Sequence, residues 1–191
     1  GIHYYPPYVR PAVFALPLRL IAWMPYWSAF AVWLAVQYAC YLCAIAIAFK
    51  TFRPPLPWLA AFAVFVPALI GPTVGQDANI LAAILAIGMA LLAANKDSAS
   101  GAVLALGLFK FNLVLFLPVV FLLHRRWRAL AAFCLCGGLL AVASVLLSPP
   151  DEYIGLLRHV RDYTGVPASA FSSMRGVLSG AGAGWLYYPC A

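Results

Sequence analysis

The sequence predicts an all-α fold, a polytopic transmembrane helical bundle with re-entrant or broken helices, and three observations support this. Of the 191 residues, 65% are hydrophobic and only 9% are charged, whereas soluble domains are about a quarter charged. The apolar residues fall into runs long enough to cross a bilayer, which takes about 20 residues of helix. One run contains a lysine and an asparagine near its middle, where polar groups are costly.

The formal charge of +7 comes from Lys and Arg residues in short clusters beside the apolar runs. This placement is typical of the positive-inside rule, under which cytoplasmic loops are rich in basic residues. Because there is no continuous basic stripe, no nucleic-acid partner is expected. Cys40 and Cys43 lie within an apolar run, and we interpret them as packing residues rather than as a redox or metal pair.

A single integral membrane domain is predicted over residues 1–191, with several segments that cross or enter the bilayer. These segments are 27–49, 56–73, 78–94, 101–123, which is broken near 110, and 129–147. Each is apolar over most of its length and ends at a proline, glycine or charged cluster.

The basic clusters constrain how the segment 101–123 is arranged. Lys50, Lys96 and Arg125 should all be cytoplasmic, and this requires an even number of crossings between Lys96 and Arg125. Two half-helices that enter and return would meet that requirement and place Lys110 at a polar break near Phe109–Asn112. The alternative is a continuous helix whose lysine snorkels to the interface or pairs inside the bundle.

The two ends of the chain are predicted to lie on the outer face. The apolar part of residues 1–26 is too short to span a bilayer. This favours an interfacial or re-entrant segment rimmed by tyrosine and tryptophan. Residues 148–191 are predicted to form an outer loop. This loop includes a short interfacial helix that starts at Ser148–Glu152, where serine caps and acidic residues suit a first turn.

A few polar residues in apolar surroundings are the candidates for chemistry. Gln76, Asp77 and Asn79 lie at a membrane boundary, although Asp77 and Asn79 could simply cap the next helix. Lys110 is the least expected residue in its segment. Its ammonium could pair with Asp77 or bind an anionic group such as a phosphate. The three histidines are scattered, so no metal site and no cofactor are indicated.

Several short motifs resemble those of glycosyltransferase family 87, an integral membrane family of the C-type superfamily. The motifs are Tyr4-Tyr5-Pro6-Pro7, Pro25-Tyr26-Trp27, Gly75-Gln76-Asp77-Ala78-Asn79, the Gly101–Asn112 stretch followed by Pro118 and Arg125-Arg126-Trp127-Arg128, and Ser173-Met174-Arg175-Gly176. They occur in the order of the family over essentially the whole chain. Phe111 stands where the family usually has proline.

The resemblance implies transfer of a sugar, usually mannose, from a polyprenyl-phosphate donor to a lipid or glycan acceptor on the outer face. It implies a multi-pass protein of the bacterial plasma membrane. Lys110, with Arg175 as a second candidate, would bind the donor phosphate. Gln76, Asp77, Asn79 and Asn112 would shape a polar cavity, with Tyr4 and Tyr5 at its entrance. The acidic catalytic base of the family is expected upstream of Gly1, so the chain is interpreted as an internal piece of a longer protein.

Two non-enzymatic interpretations remain open at the level of sequence. In a transporter or flippase, a broken helix with Lys110 would line the substrate path, and internal inverted repeats would be expected, but none is found. In a purely structural membrane subunit, Lys110 and Asp77 would only pair with each other.

Overall fold

The computed structural model describes residues 12–74 and 76–147, which lie in one compact unit. These residues form helices and no strand, and the fold class predicted from the sequence is confirmed. The α-helices are α1 (Leu16–Arg19), α2 (Tyr26–Phe52), α3 (Leu56–Ala63), α4 (Val66–Ile70), α5 (Ala78–Ala93), α6 (Asp97–Ala105), α7 (Phe111–Val114), α8 (Leu117–Leu123) and α9 (Trp127–Leu147). Short 3₁₀ turns cover Ala12–Ala15, Gly71–Val74 and Leu106–Lys110.

Among the described residues, α2 and α9 are long and apolar enough to cross a membrane. Only 17% of the most apolar window of α2 and 11% of that of α9 are buried inside the protein. The core helix of a soluble protein would be mostly covered by its neighbours, so this exposure favours a lipid-facing role. Helix α5 is apolar but shorter, and the complete set of crossings remains a prediction.

Prolines explain why several predicted segments are built from short helices. Pro17, Pro57 and Pro118 each lie in the first turn of a helix, α1, α3 and α8 respectively. Proline is accepted there because its missing N–H would have no partner within the helix. The predicted segment 56–73 is divided in the same way, since α3 ends at Ala63 and α4 begins at Val66.

Hydrogen bonds from α2 hold this divided segment in place. The indole of Trp33 donates to the carbonyl of Pro72 at 3.2 Å, and the hydroxyl of Tyr38 donates to that of Leu69 at 2.7 Å. The Tyr41 hydroxyl donates to the Phe62 carbonyl. Carbonyls released where a helix is broken need partners away from water, and side chains of α2 supply them.

The core lies where α5, α6, α8 and α9 meet. Its buried apolar residues are Leu81, Leu104, Ala105, Phe109, Val114, Leu117, Phe121, Ala129 and Phe133. Helix α6 runs antiparallel to α5, because the Ser100 hydroxyl donates to the Gly88 carbonyl at 2.7 Å while Gly107 packs beside Leu81.

The chain from Asp97 to Arg126 leaves one end of the bundle and returns to it. Arg126 Nη1 lies 2.9 Å from Asp97 Oδ1 and 3.1 Å from Asn95 Oδ1. The start of α6 and the connection before α9 therefore lie together, with Lys110 between them in sequence. An even number of crossings between Lys96 and Arg125 requires this arrangement, although the position of a bilayer around it remains a prediction.

Basic residues collect at the end of the bundle to which this segment returns. Helices α2 and α5 run parallel: Trp33, early in α2, lines one cavity with Asp77 just before α5, whereas Ala48, late in α2, lines another with Ala86. The C-terminal ends of both helices are therefore at the end marked by Asn95. We name this the basic end, defined by Lys50, Arg53, Lys96, Arg125, Arg126 and Arg128.

Candidate functional site

Asp77 lies at the opposite end from the basic end, immediately before α5. It occupies the N-cap position, but its side chain makes no capping hydrogen bond. Its carboxylate is instead 2.9 Å from the ammonium of Lys110, and its side chain is only 5% exposed. Of the two roles that the sequence left open for Asp77, the structure shows the pairing with Lys110 rather than the cap.

Lys110 lies at a real interruption of the helix. It closes the 3₁₀ turn Leu106–Lys110 and precedes α7, with φ −118° and ψ 61°, well outside the helical region. Its side chain is 17% exposed. The interruption occurs although the next residue is Phe111 rather than a proline. Gly107, one turn earlier, is in close contact with both Leu81 and Val114.

An apolar cavity of about 490 Å³ borders this ion pair on the Asp77 side. Its walls come from the segment around Phe14 and α1, from the first half of α2, from the start of α5 and from the turn at Phe109. Among the described residues that line it, Asp77 carries a charge. A largely apolar cavity with one anchored polar group is a common form of ligand site.

The N-terminal segment completes this cavity through contacts with residues far away in the chain. The rings of Phe14 and Phe109 lie 5.4 Å apart. The N–H of Val13 donates to the hydroxyl of Ser144 in α9 at 3.4 Å. These contacts attach the segment to both the interrupted turn and the last helix, so it forms a wall of the cavity.

The structure brings together only some of the predicted site residues. Asn79 is buried, donates to the carbonyl of Ala68 at 2.9 Å, and borders a separate apolar cavity of about 270 Å³ between α2, α3 and α5. Gln76 is exposed. Asn112 lies in α7, but its side chain is outside what the structure describes. Tyr4, Tyr5, Arg175 and the predicted interfacial helix also lie outside the described residues.

Two residues with a role near the site were missed from sequence. Trp33 lines the same cavity as Asp77. Gln37, one turn further along α2, is fully buried, and neither atom of its amide has a hydrogen-bond partner among the residues that the structure describes. Buried amides are nearly always paired. A glutamine inside the uncharged run 27–49 was the signal that could have identified it.

Fold and site together define a class of protein: a membrane-associated helical protein with an ion pair beside an apolar cavity. Within residues 12–74 and 76–147, no three His, Cys, Asp or Glu side chains come together as metal ligands. The chain belongs to glycosyltransferase family 87, whose family model matches residues 5–191, and the resemblance seen in its motifs is confirmed. No curated protein and no solved structure gives a significant match. Membership in this family makes the protein a membrane glycosyltransferase.

Proposed function

We propose that this protein transfers a sugar, mannose by resemblance to the family, from a polyprenyl-phosphate donor to a lipid or glycan acceptor. Lys110 would bind the donor phosphate, on the outer side of a bacterial plasma membrane. The observation that supports this best is the position of the Lys110–Asp77 ion pair beside an apolar cavity of about 490 Å³. A polyprenyl-phosphate donor has matching parts, an anionic headgroup for the lysine and an isoprenoid tail for the apolar cavity.

The placement of the charge favours a binding role for Lys110. Its ammonium is neither fully enclosed nor free in water, and it lies at a backbone interruption rather than on a regular helix face. Interrupted helices at membrane depth are tolerated where they line a cavity or are buried in protein. A lysine there provides a point charge suited to a phosphate oxygen.

In the proposed reaction, a base takes the proton of the acceptor hydroxyl and its oxygen attacks the anomeric carbon of the sugar. The bond from that carbon to the phosphate oxygen breaks, and its electron pair remains on the polyprenyl phosphate. Lys110 would stabilise the charge that develops there. We assign no described residue to the role of base.

The ion pair alone would also suit a purely structural role, so the test has to separate the two. Lys110→Met by itself leaves a buried carboxylate without its ammonium. The double variant Lys110→Met/Asp77→Asn removes both charges of this ion pair, so that neither is left without the other. Its matched control is Lys50→Met, which removes a lysine from the basic end.

We expect membranes containing the full-length double variant to lose transfer of mannose from a radiolabelled polyprenyl-phosphate mannose. Lys50→Met should retain it, with both proteins present at wild-type levels. Transfer by a well-expressed double variant would show that Lys110 is structural and would overturn the proposed function.

A further inference from the structure

Asp77 is in contact with Lys110, the residue that would bind the donor phosphate. Its charge would therefore also act on the phosphate product. We propose that Asp77 is a positioning residue that acts through Lys110, discriminating by charge against the phosphate product and so promoting its release. This inference rests on the proposed function, because it requires that Lys110 bind the phosphate. It gives the carboxylate a role in turnover beyond neutralising a lysine.

The transfer step changes the charge of the polyprenyl phosphate. Before the reaction the phosphate is a diester with a single negative charge. When the bond to the sugar breaks, the electron pair stays on the phosphate oxygen and a monoester is released. A phosphate monoester has a second pKa near 6 and carries about −1.5 to −2 at neutral pH. Donor and product therefore share a tail but differ by nearly one charge.

The geometry makes the site sensitive to that difference. Lys110 Nζ is 2.9 Å from Asp77 Oδ1, so a phosphate oxygen that contacts this ammonium must come within a few ångströms of the carboxylate. Asp77 also lines the apolar cavity, and its side chain is only 5% exposed. Charges interact more strongly there than in water. The carboxylate repels the more highly charged product more than the donor, and it therefore offsets the stronger attraction of the ammonium for that product.

Another ion pair within the described part of the chain provides a matched comparison. Arg126 and Asp97 are separated by the same 2.9 Å, but at the basic end and with more exposed side chains, 36% and 17%. Removing the charge of Asp97 should therefore break an aspartate ion pair with the same N–O distance, without any effect on a phosphate at Lys110.

The test uses two probes that share a farnesyl tail and differ in the charge of the phosphate. Farnesyl phosphate is a monoester and methyl farnesyl phosphate is a diester, and each can be titrated against the full-length protein in lipid nanodiscs. Tryptophan fluorescence reports binding, because Trp33 lines the cavity. The quantity compared between variants is the ratio of the Kd of the monoester to the Kd of the diester at pH 7.5.

We expect Asp77→Asn to lower this ratio by about ten-fold, because a neighbouring like charge shifts such equilibria by one or more powers of ten. Most of the change should be tighter binding of the monoester. Asp97→Asn should leave the ratio at its wild-type value. At pH 5, where the monoester carries close to one charge, the wild-type ratio should fall towards that of Asp77→Asn.

An unchanged ratio of the two Kd values in Asp77→Asn would overturn the inference. A merely structural carboxylate would give this result, because its loss would weaken the binding of both probes equally. The double variant Lys110→Met/Asp77→Asn separates this failure from that of the proposed function. If it loses both probes while Asp77→Asn leaves the ratio unchanged, only the role of Asp77 fails. If the double variant binds both as the wild type does, or the wild type binds neither, the proposed function fails as well.

Discussion

Among the described residues, an ion pair between an aspartate and a basic residue lies at each end of the bundle, and the N–O distance is 2.9 Å in both. At the basic end, Arg126 binds Asp97 and also Asn95. These contacts join the two ends of the chain segment that contains Lys110. At the other end, Lys110 and Asp77 are more enclosed and border an apolar cavity. The two ion pairs thus have the same N–O distance but differ in how far their side chains are exposed.

The environment decides what each pair contributes. An exposed pair adds less than about 1 kcal/mol, because water solvates its charges almost as well when they are apart. An enclosed pair adds little net stability, but removing one partner is destabilising, because the remaining charge keeps its desolvation cost and loses the attraction of that partner. The pair at the basic end therefore adds little to stability, whereas at the cavity we propose that the Lys110 ammonium also binds a phosphate.

The largest expected effect is that of Lys110→Met alone, which leaves the Asp77 carboxylate enclosed without its ammonium. We expect a loss of about 3 kcal/mol in the free energy of unfolding, measured by thermal unfolding in detergent. Lys110→Met/Asp77→Asn should recover most of the loss. If the single and double variants are equally stable, the two side chains do not depend on each other.

Next in size is Gly101→Ala, which tests whether packing rather than the ion pair holds the basic end together. A Cβ at Gly101 would clash with the carbonyl oxygen of Ala129, a backbone atom that cannot rotate away. We expect destabilisation by about 2 kcal/mol. Gly138→Ala is the control, because no atom of the described residues lies within 4 Å of a Cβ there. Equal stabilities for the two variants would contradict the close contact of α6 with α9.

A smaller change of opposite sign is expected for Gln37→Met, which replaces a buried amide with an apolar group of similar size. The variant should be about 1 kcal/mol more stable, because an unpaired buried amide is penalised. The exposed Gln76→Met should change stability little. Loss of stability in Gln37→Met would show that the amide has a partner, such as a bound water or ligand.

The smallest effect is expected for Arg126→Met, at or below about 1 kcal/mol, because its side chain is 36% exposed. Thermal unfolding next to Lys110→Met gives the comparison directly. A loss at Arg126 as large as that at Lys110 would remove the distinction between the two ends.

Part of the fold and of the candidate site could be predicted from the sequence, because it depends on local chemistry. The apolar runs predicted helices because a bilayer leaves backbone groups no other partners, and Lys110 and Asp77 stood out as charges in apolar surroundings. The division of 56–73 into α3 and α4 was missed, although Pro67 lies in that segment. Its cause is partly tertiary, since Trp33, Tyr38 and Tyr41 accommodate the break through their hydrogen bonds.

The cavity itself could not be predicted. Its walls bring together Phe14, Trp33 and Phe109, which are far apart in sequence, and no local pattern indicates which apolar side chains face one another. Asn79 illustrates the same limit. It was grouped with Asp77 because the two are close in sequence, yet it borders the other cavity and donates to the carbonyl of Ala68.

The most direct test of the central claim, that the two ends face opposite sides of the membrane, is cysteine accessibility in intact cells. The three positions Gln76, Ser98 and His124 are all exposed, and each would be changed to cysteine in the full-length protein without its native cysteines. A membrane-impermeant maleimide should label Gln76→Cys from outside, and Ser98→Cys and His124→Cys only after permeabilisation. Labelling of Ser98→Cys and His124→Cys from opposite sides would contradict the account.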